Sequence, residues 1–302
     1  MIAISFIIPC FNKSREISRA IESVVCYCNC SSEVLVIDDA STDESCKEIM
    51  KCQERFPLLR VVKSNKNRGI SRIRNLGIRL SQGEFLYFLD GDDAIVPGFP
   101  QELALLLTRH TLDLLSVQGR WRNSKKIRPR SIDGFLDCLE LIEDGLYSVN
   151  NVVKFLETSM ALGGSQLLAR KSWIGRSRFA INECAFEDFG FYFKLLRADV
   201  RWLYLQRVGV VFDDQPFSAS LSRSSLRWDK LKRPAAMNCC PSIKIEEHLC
   251  GVWVYNCLMR LPPRKGLLFL WKYRGDFRKG LRTRYGVPGI ALWGLRLIGI
   301  RS

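Results

Sequence analysis

The chain has 302 residues, 47% of them hydrophobic, and 46 lysines and arginines against 31 aspartates and glutamates give it a net charge of +15. That is apolar sequence enough for one large domain or one and a half, and it excludes an intrinsically disordered chain. The charge is uneven: residues 1–120 balance to zero, 121–200 carry +2 and 201–302 carry +13, so the last third faces something anionic, whether a bilayer surface, a polyphosphate or a nucleic acid.

In chain order, Ile4–Pro9 is short, β-rich and bounded by proline, the pattern of a buried strand. Asn12-Lys13-Ser14 offers a cap to a helix over about 15–26, with Ile17, Ala20, Ile21, Val24 and Val25 on its apolar face. Val34–Ile37 is a second buried strand ending in Asp38-Asp39, and Ser41-Thr42-Asp43 offers a cap to a helix over 44–56. Leu59–Lys63 reads as a strand, Gly69–Leu80 as a helix stopped by Gly83, and Phe85–Leu89 as a fourth strand. This alternation predicts a parallel, right-handed, doubly wound α/β sheet. Beyond Pro97-Gly98 the pattern gives a helix over 99–108, a strand over 114–117 and a polar, basic, irregular stretch over 119–130. Weak helical periodicity follows over 135–141 and 152–156, then a strand over 166–169, a helix over 189–197 opened by Glu187-Asp188, and paired edge strands over 202–211.

Two of these strands end in acids. Asp38-Asp39 follows the second and Asp90-Gly91-Asp92-Asp93 follows the fourth. Open α/β sheets bind ligands at the carboxyl ends of their strands. Clustered hard oxygens there suit Mg²⁺ or Mn²⁺, ions usually shared with a substrate's phosphates. The twelve cysteines lack the paired spacing of a zinc site and read as reduced, small buried hydrophobes. His110 and His248 are the only histidines, and both read as structural.

Taken together, Ile4–Asn12, Val36–Asp43, Asn67–Ile78, Phe88–Gly98 and Phe186-Glu187-Asp188 resemble the successive motifs of the family 2 glycosyltransferases, closely over about 1–100 and loosely over 160–225. The resemblance implies a GT-A fold, Rossmann-like and mostly parallel, flanked by helices, with a nucleotide-diphospho-sugar donor and a divalent metal, Mn²⁺ or Mg²⁺. In the family's pattern Pro9 and Phe11 line the base pocket, and Asn12 and Gly91 belong to the nucleotide-sugar set. Asp39 would accept from the base's imide N–H, a role Asp38 contests. Asp92 would ligate the metal, with Asp90 on the ribose or in the metal shell. Arg74 is placed to reach the nucleotide; a solvated helix face is the competing account of it. Glu187-Asp188 carries the catalytic carboxylates, with Asp188 deprotonating the acceptor hydroxyl for a single inverting attack. A charge cap on the helix is the competing account of that pair.

The chain departs from the family where many relatives carry a histidine before a Ser-x-Ser turn. Here the segment reads Val210–Ser220, so either Asp213 or Asp214 completes the metal shell or the metal is held more loosely. Ser224–Trp228 lacks the glutamine of the processive branch, so one sugar per event is expected. The reading divides the chain into a nucleotide-sugar half over 1–118, an acceptor and base half of the same domain over 119–230, and a basic helical extension over 231–302. Residues 260–302 carry eleven lysines or arginines and one acid, interleaved with leucines and aromatics, as in helices that lie in a lipid interface. A pair of helices docked on the core fits that pattern as well. With no leader-like start and no apolar run of about 20 residues, a cytoplasmic protein is expected, peripheral on the inner face of the plasma membrane. The acceptor would be a saccharide or a lipid-linked sugar. A polyprenyl-phosphate sugar synthase is the alternative enzyme. A basic nucleic-acid binder is disfavoured, because the acid clusters would repel phosphate.

Overall fold

The structure, a computed structural model, describes residues 3–27, 32–128, 136–159, 164–181 and 187–213, with isolated positions between 241 and 275. The chain divides into two compact units. The first is Met1–Asn182 with Lys194–Ala219, the second Glu183–Phe193 with Ser220–Ser302.

The first unit opens with β1 (Ile4–Cys10), α1 (Ile17–Val25), β2 (Ser32–Asp38), α2 (Ser45–Arg55), β3 (Arg60–Lys63), α3 (Ile70–Leu80) and β4 (Phe85–Phe88). β1, β2, β3 and β4 are parallel, in the order β3-β2-β1-β4. This is the expected α/β alternation, with ends within two residues of the sequence reading. Both faces of the sheet are covered. Ile4, Phe6 and Ile8 of β1 join Ile17, Ala20, Ile21 and Val24 of α1 and Ile49 of α2 in one buried cluster. Ile7 points the other way and lies against Gly77 of α3. Each such aliphatic side chain removed from water contributes roughly 1.5–3 kcal/mol, which is what holds the strand ends in register.

Then come β5 (Ala94–Ile95), α4 (Phe99–Arg109), β6 (Leu114–Trp121), β7 (Ile127–Arg128), β8 (Leu139–Glu143), β9 (Leu146–Val149), α5 (Val152–Ser159), β10 (Leu167–Arg170) and α6 (Lys171–Ile174). β10 is antiparallel to both β4 and β6, so the sheet becomes mixed beyond β4. β11 (Trp202–Phe212) closes the unit; α7 (Glu187–Phe193) belongs to the second.

Four expectations change here. Residues 202–211 are one strand rather than an edge pair, and β11 lies inside the sheet, parallel to β6 and antiparallel to β9 and β5. Its polar Gln206-Arg207 and Gly209 look like a turn, but they sit at register shifts between Leu205 and Val210. A side chain at Gly209 would meet the Phe99 ring at 2.5 Å, so the glycine is needed for α4 to lie against the strand. Within the stretch read as irregular, residues 119–128 form a β6–β7 hairpin. Residues 139–141, the end of the stretch given helical periodicity over 135–141, instead open the exposed strand β8 paired with β9. The helix opened by Glu187 ends at Phe193, short of the expected Arg197.

At the sheet edge where β6 and β11 begin, the buried Asp113 carboxylate accepts from the Arg201 backbone N–H (3.1 Å), Nε (3.0 Å) and Nη2 (2.9 Å). Burial pushes this carboxyl up, but the bonds and charge of Arg201 outweigh it and hold it below its ordinary value. A depressed carboxyl contributes stability above its unfolded value, lost as pH falls through the folded one. Asp113→Asn is therefore expected to cost about 1–2 kcal/mol in urea unfolding at pH 7. The gap from the wild type should shrink as pH drops below about 3.9.

In the second unit α7 buries Phe191, Tyr192 and Phe193, with the Phe191 and Tyr192 rings 5.5 Å apart. The expected basic helices of the tail, Asp214, Ser224–Trp228 and Cys239-Cys240 lie outside the described residues. Of the six described free cysteines, Cys10, Cys52, Cys138 and Cys250 are buried. His110 pairs with Glu143 at 3.1 Å. Among the described residues no helix is long and apolar enough to cross a membrane.

Candidate active site

The carboxyl ends of β1, β2 and β4 bring three acidic or polar loops to one edge. Asn12, which follows β1 with φ 53°, ties two of them together. Its N–H donates to Ser41 Oγ (3.0 Å) and its Oδ1 accepts from the Thr42 N–H (2.8 Å). Ala40 also adopts a left-handed backbone, φ 59°, a conformation that costs a non-glycine residue roughly 1 kcal/mol or more and clusters at functional loops.

Asp38 and Asp39 are both buried. Asp38 accepts from Ser41 Oγ at 2.5 Å. Asp39 accepts from the Arg68 and Gly69 amides at 2.7 and 2.8 Å, which fixes the entry to α3. Burial pushes its carboxyl up, against the pull of those two amides. Both oxygens of Asp39 therefore already hold one bond each, leaving second lone pairs for a ligand. Pro9 is buried in β1 opposite Ile37, while Phe11 beyond it is 41% exposed. Cys10, at the end of the same strand, is no nucleophile. Burial and the Asp38 charge push its thiol up to about 12.

The loop after β4 is held from three sides. Arg74, a buried residue of α3, places Nη2 2.7 Å from Asp90 Oδ1, and its guanidinium lies 5.3 Å from the centre of the Phe179 ring. In this structure Arg74 thus positions Asp90, and the solvated-face account of it is excluded. Lys13 Nζ lies 2.5 Å from Asp92 Oδ2, and Arg19 Nη2 donates to the Asp92 carbonyl. Burial pushes the Asp92 carboxyl up and Asp90 adds to it, while Lys13 opposes. Gly91 lets the loop approach β1. A side chain there would sit 2.8 Å from the Pro9 carbonyl oxygen. Gly91→Ala is expected to displace the loop and lower turnover of chemistry at this edge about tenfold or more, read as kcat, since small misplacements of reacting groups carry such penalties.

Asp93 is the buried clasp beneath. Its Oδ2 accepts from Ser165 Oγ (2.7 Å) and its Oδ1 from the Asp213 N–H (3.1 Å), while Ser165 Oγ accepts from the Asp90 N–H (3.0 Å). Burial pushes the Asp93 carboxyl well above its ordinary value, and the charges of Asp90 and Asp92 add to it. Asp213, one of the two candidates to complete the metal shell, has its side chain buried with Oδ1 3.6 Å from Arg19 Nη2 and 4.0 Å from Arg122 Nη1.

The structure thus brings Pro9, Asn12, Asp38, Asp39, Arg74, Asp90, Gly91 and Asp92 to one edge of the first unit. Asp93, part of the acidic cluster read from the sequence, lies beneath them, and Lys13, Arg19 and Ser165 join without having been foreseen. Lys13 stood next to the Asn12 motif; Ser165, some seventy residues from its partners, left no local signal. Glu187 and Asp188 lie in the first turn of α7 in the second unit, where Asp188 Oδ1 accepts from the Phe189 N–H at 2.8 Å.

The strand order, the mixed second half of the sheet and the aspartate-rich loop after β4 define a domain of the GT-A fold. Residues 5–174 match the family model described as glycosyl transferase family 2, and the chain belongs to that family. Over 120 residues it is 34% identical to chondroitin synthase of Escherichia coli, covering 40% of this chain and 17% of that protein. Over 118 residues it is 29% identical to the uncharacterised glycosyltransferase YibD of Escherichia coli K12, covering 39% of this chain and 34% of that one. The chain spans about a third or less of the length of the curated relatives it matches. Among solved structures it resembles residues 1–349 of Staphylococcus aureus TarS in complex with UDP-GlcNAc, with TM-score 0.61 and 18% identity over 89% of this chain and 71% of that one. It also resembles GalNAc-T7 with UDP, GalNAc and Mn²⁺, with TM-score 0.52 and 16% identity over 70% of this chain and 44% of that one. At these identities the likeness is one of fold.

Proposed function

We propose that the chain is an inverting glycosyltransferase domain that moves a sugar from a nucleotide-diphospho-sugar to an acceptor hydroxyl in cell-surface polysaccharide or glycolipid synthesis. The observation that carries this reading is the loop Asp90–Asp93, braced by Arg74, Lys13 and Arg19 beside Asp38-Asp39 at the ligand-binding edge of the sheet.

In this reading Asp39, with Asp38 beside it, receives the base's imide N–H, and Pro9, Phe11 and Asn12 border the base. Asp90 takes the ribose or joins Asp92 in holding Mg²⁺ or Mn²⁺. The residues fit such an ion: Asp90 and Asp92 are hard oxygen donors on one turn, and Asp92 carries a charge that burial and Asp90 both penalise. Among the described residues no group of three or more acidic, histidine or cysteine side chains is placed to hold a metal. The protein thus offers a two-carboxylate bite, and phosphate oxygens would supply the rest. When bound, the ion would neutralise charge growing on the diphosphate as it departs. Lys13 and Arg19 supply fixed positive charge to the same loop. Asp188 removes the acceptor proton, and the attacking oxygen enters opposite the departing diphosphate, so the anomeric centre inverts. The division into donor half, acceptor half and membrane-facing tail, and a place on the inner membrane face, belong to the same proposal.

Calorimetric titration with a panel of UDP-, GDP- and dTDP-sugars, with and without Mn²⁺, tests it. Metal-dependent binding of one nucleotide class is expected. Absence of binding by every member would overturn the reading.

A further inference from the structure

A strongly charged surface on the first unit has no part in donor chemistry. Residues 119–128, spanning the β6–β7 hairpin, hold five arginines or lysines and no acid. β6 is antiparallel to β10 and β10 to β4, so β6 runs in the direction of β4. Its carboxyl end therefore opens on the edge that carries Asp38, Asp90 and Asp92. β11, parallel to β6, delivers Asp213 to that edge as well.

The hairpin is rigidly built. The Trp121 N–H donates to the Lys126 carbonyl (2.9 Å) and the Arg122 N–H to the Phe212 carbonyl (2.9 Å), and the Trp121 and Phe212 rings pack 5.1 Å apart. Gln166 Nε2 donates to both the Val117 and Arg128 carbonyls at 2.9 Å. A braced frame holds its cations in place before any ligand arrives, which lowers the ordering cost of binding. Arg122, Lys125 and Lys126 are exposed. Among the described residues Lys125 and Lys126 pair with no carboxylate, and Arg120 Nε is buried without a hydrogen-bond partner. Arg122 reaches Asp213 only at 4.0 Å, and Asp213 is shared with Arg19, which also donates to the Asp92 carbonyl. A chain of ion pairs, Arg122–Asp213–Arg19, thus links the hairpin to the Asp92 loop.

We propose that the β6–β7 hairpin binds phosphate on the acceptor, and that the acceptor is a phosphate-bearing chain rather than a neutral saccharide. This rests on the glycosyl-transfer reading. Guanidinium and ammonium donors in a row match phosphate oxygens in charge and hydrogen bonding. A neutral oligosaccharide would leave this excess of cations at the site edge without a counterpart.

The test is calorimetric titration of the full chain with short-chain inorganic polyphosphate, in excess UDP and Mn²⁺ to fill the donor site. K125E/K126E is compared with K47E/K51E, an equal reversal on the exposed face of α2. The hairpin reversal is expected to weaken polyphosphate binding about tenfold or more and to flatten its salt dependence, with UDP affinity unchanged. Equal polyphosphate affinity in the two variants would overturn the proposal. So would loss of binding to phosphatidylcholine vesicles doped with phosphatidylglycerol while polyphosphate binding persists, since that places the hairpin on lipid. If the wild-type chain bound no UDP but the variants still differed, the donor reading would fall and the phosphate site would stand.

Discussion

Asp92→Asn is expected to lower sugar transfer by about 10²–10³-fold or more, the scale seen when a preorganised charge is removed from a transition state. The side chain is 17% exposed and sits against Lys13 at 2.5 Å, so an isosteric amide fits without disturbing the fold. What is lost is the charge. An amide oxygen is a weaker ligand for a hard cation than a carboxylate, and it leaves Asp90 as the remaining anionic donor on the turn. Lys13 then faces a neutral partner. UDP is therefore expected to bind the variant, but with an affinity that no longer responds to Mn²⁺. The thermal midpoint should move little, because relief of repulsion with Asp90 and Asp93 offsets the lost pair with Lys13. Calorimetry of UDP with and without Mn²⁺, beside a turnover assay, separates these effects. Near-normal, metal-dependent turnover by the variant would remove the metal role from Asp92.

Much of this edge is legible in the sequence because its information is local. Val34–Ile37 and Phe85–Leu89 are apolar runs that stop at acids, and each apolar run has one stable place in a sheet buried on both faces. The glycine between Asp90 and Asp92 reads as part of a turn, and the structure adds the reason it is glycine, the Pro9 carbonyl beneath it. The clasp is not legible. Asp93 meets Ser165 and Asp213 across 72 and 120 residues, and no periodicity records a hydrogen bond at that separation. β11 misleads for a different reason. Gln206, Arg207 and Gly209 break its alternation, and only the neighbouring strands reveal that the break is absorbed as register shifts. β8 fails because four of its five residues are exposed, so burial imposes no pattern on it. Arg74's partner, Asp90, lies sixteen residues away beyond the next strand and emerges only when α3 packs on the sheet.

Asp188→Asn is expected to leave nucleotide binding intact while lowering kcat by about 10²–10⁴-fold, the usual contribution of a positioned general base. The carboxylate lies in the first turn of α7. Its Oδ1 accepts from the Phe189 N–H at 2.8 Å, a bond an asparagine oxygen can also make, so the local turn survives the change. The amide cannot take a proton from an attacking hydroxyl, and this is the property the variant removes. Glu187→Gln provides the internal control, since Glu187 shares the same turn and the same charge. If the pair acted only as a charge cap, the two amides would have similar small effects on stability and none on kcat. If Asp188 is the base, its amide variant alone removes transfer, while donor KM and UDP affinity stay at wild-type values in both. A fall in donor affinity in Asp188→Asn, with kcat preserved, would move the base to another residue.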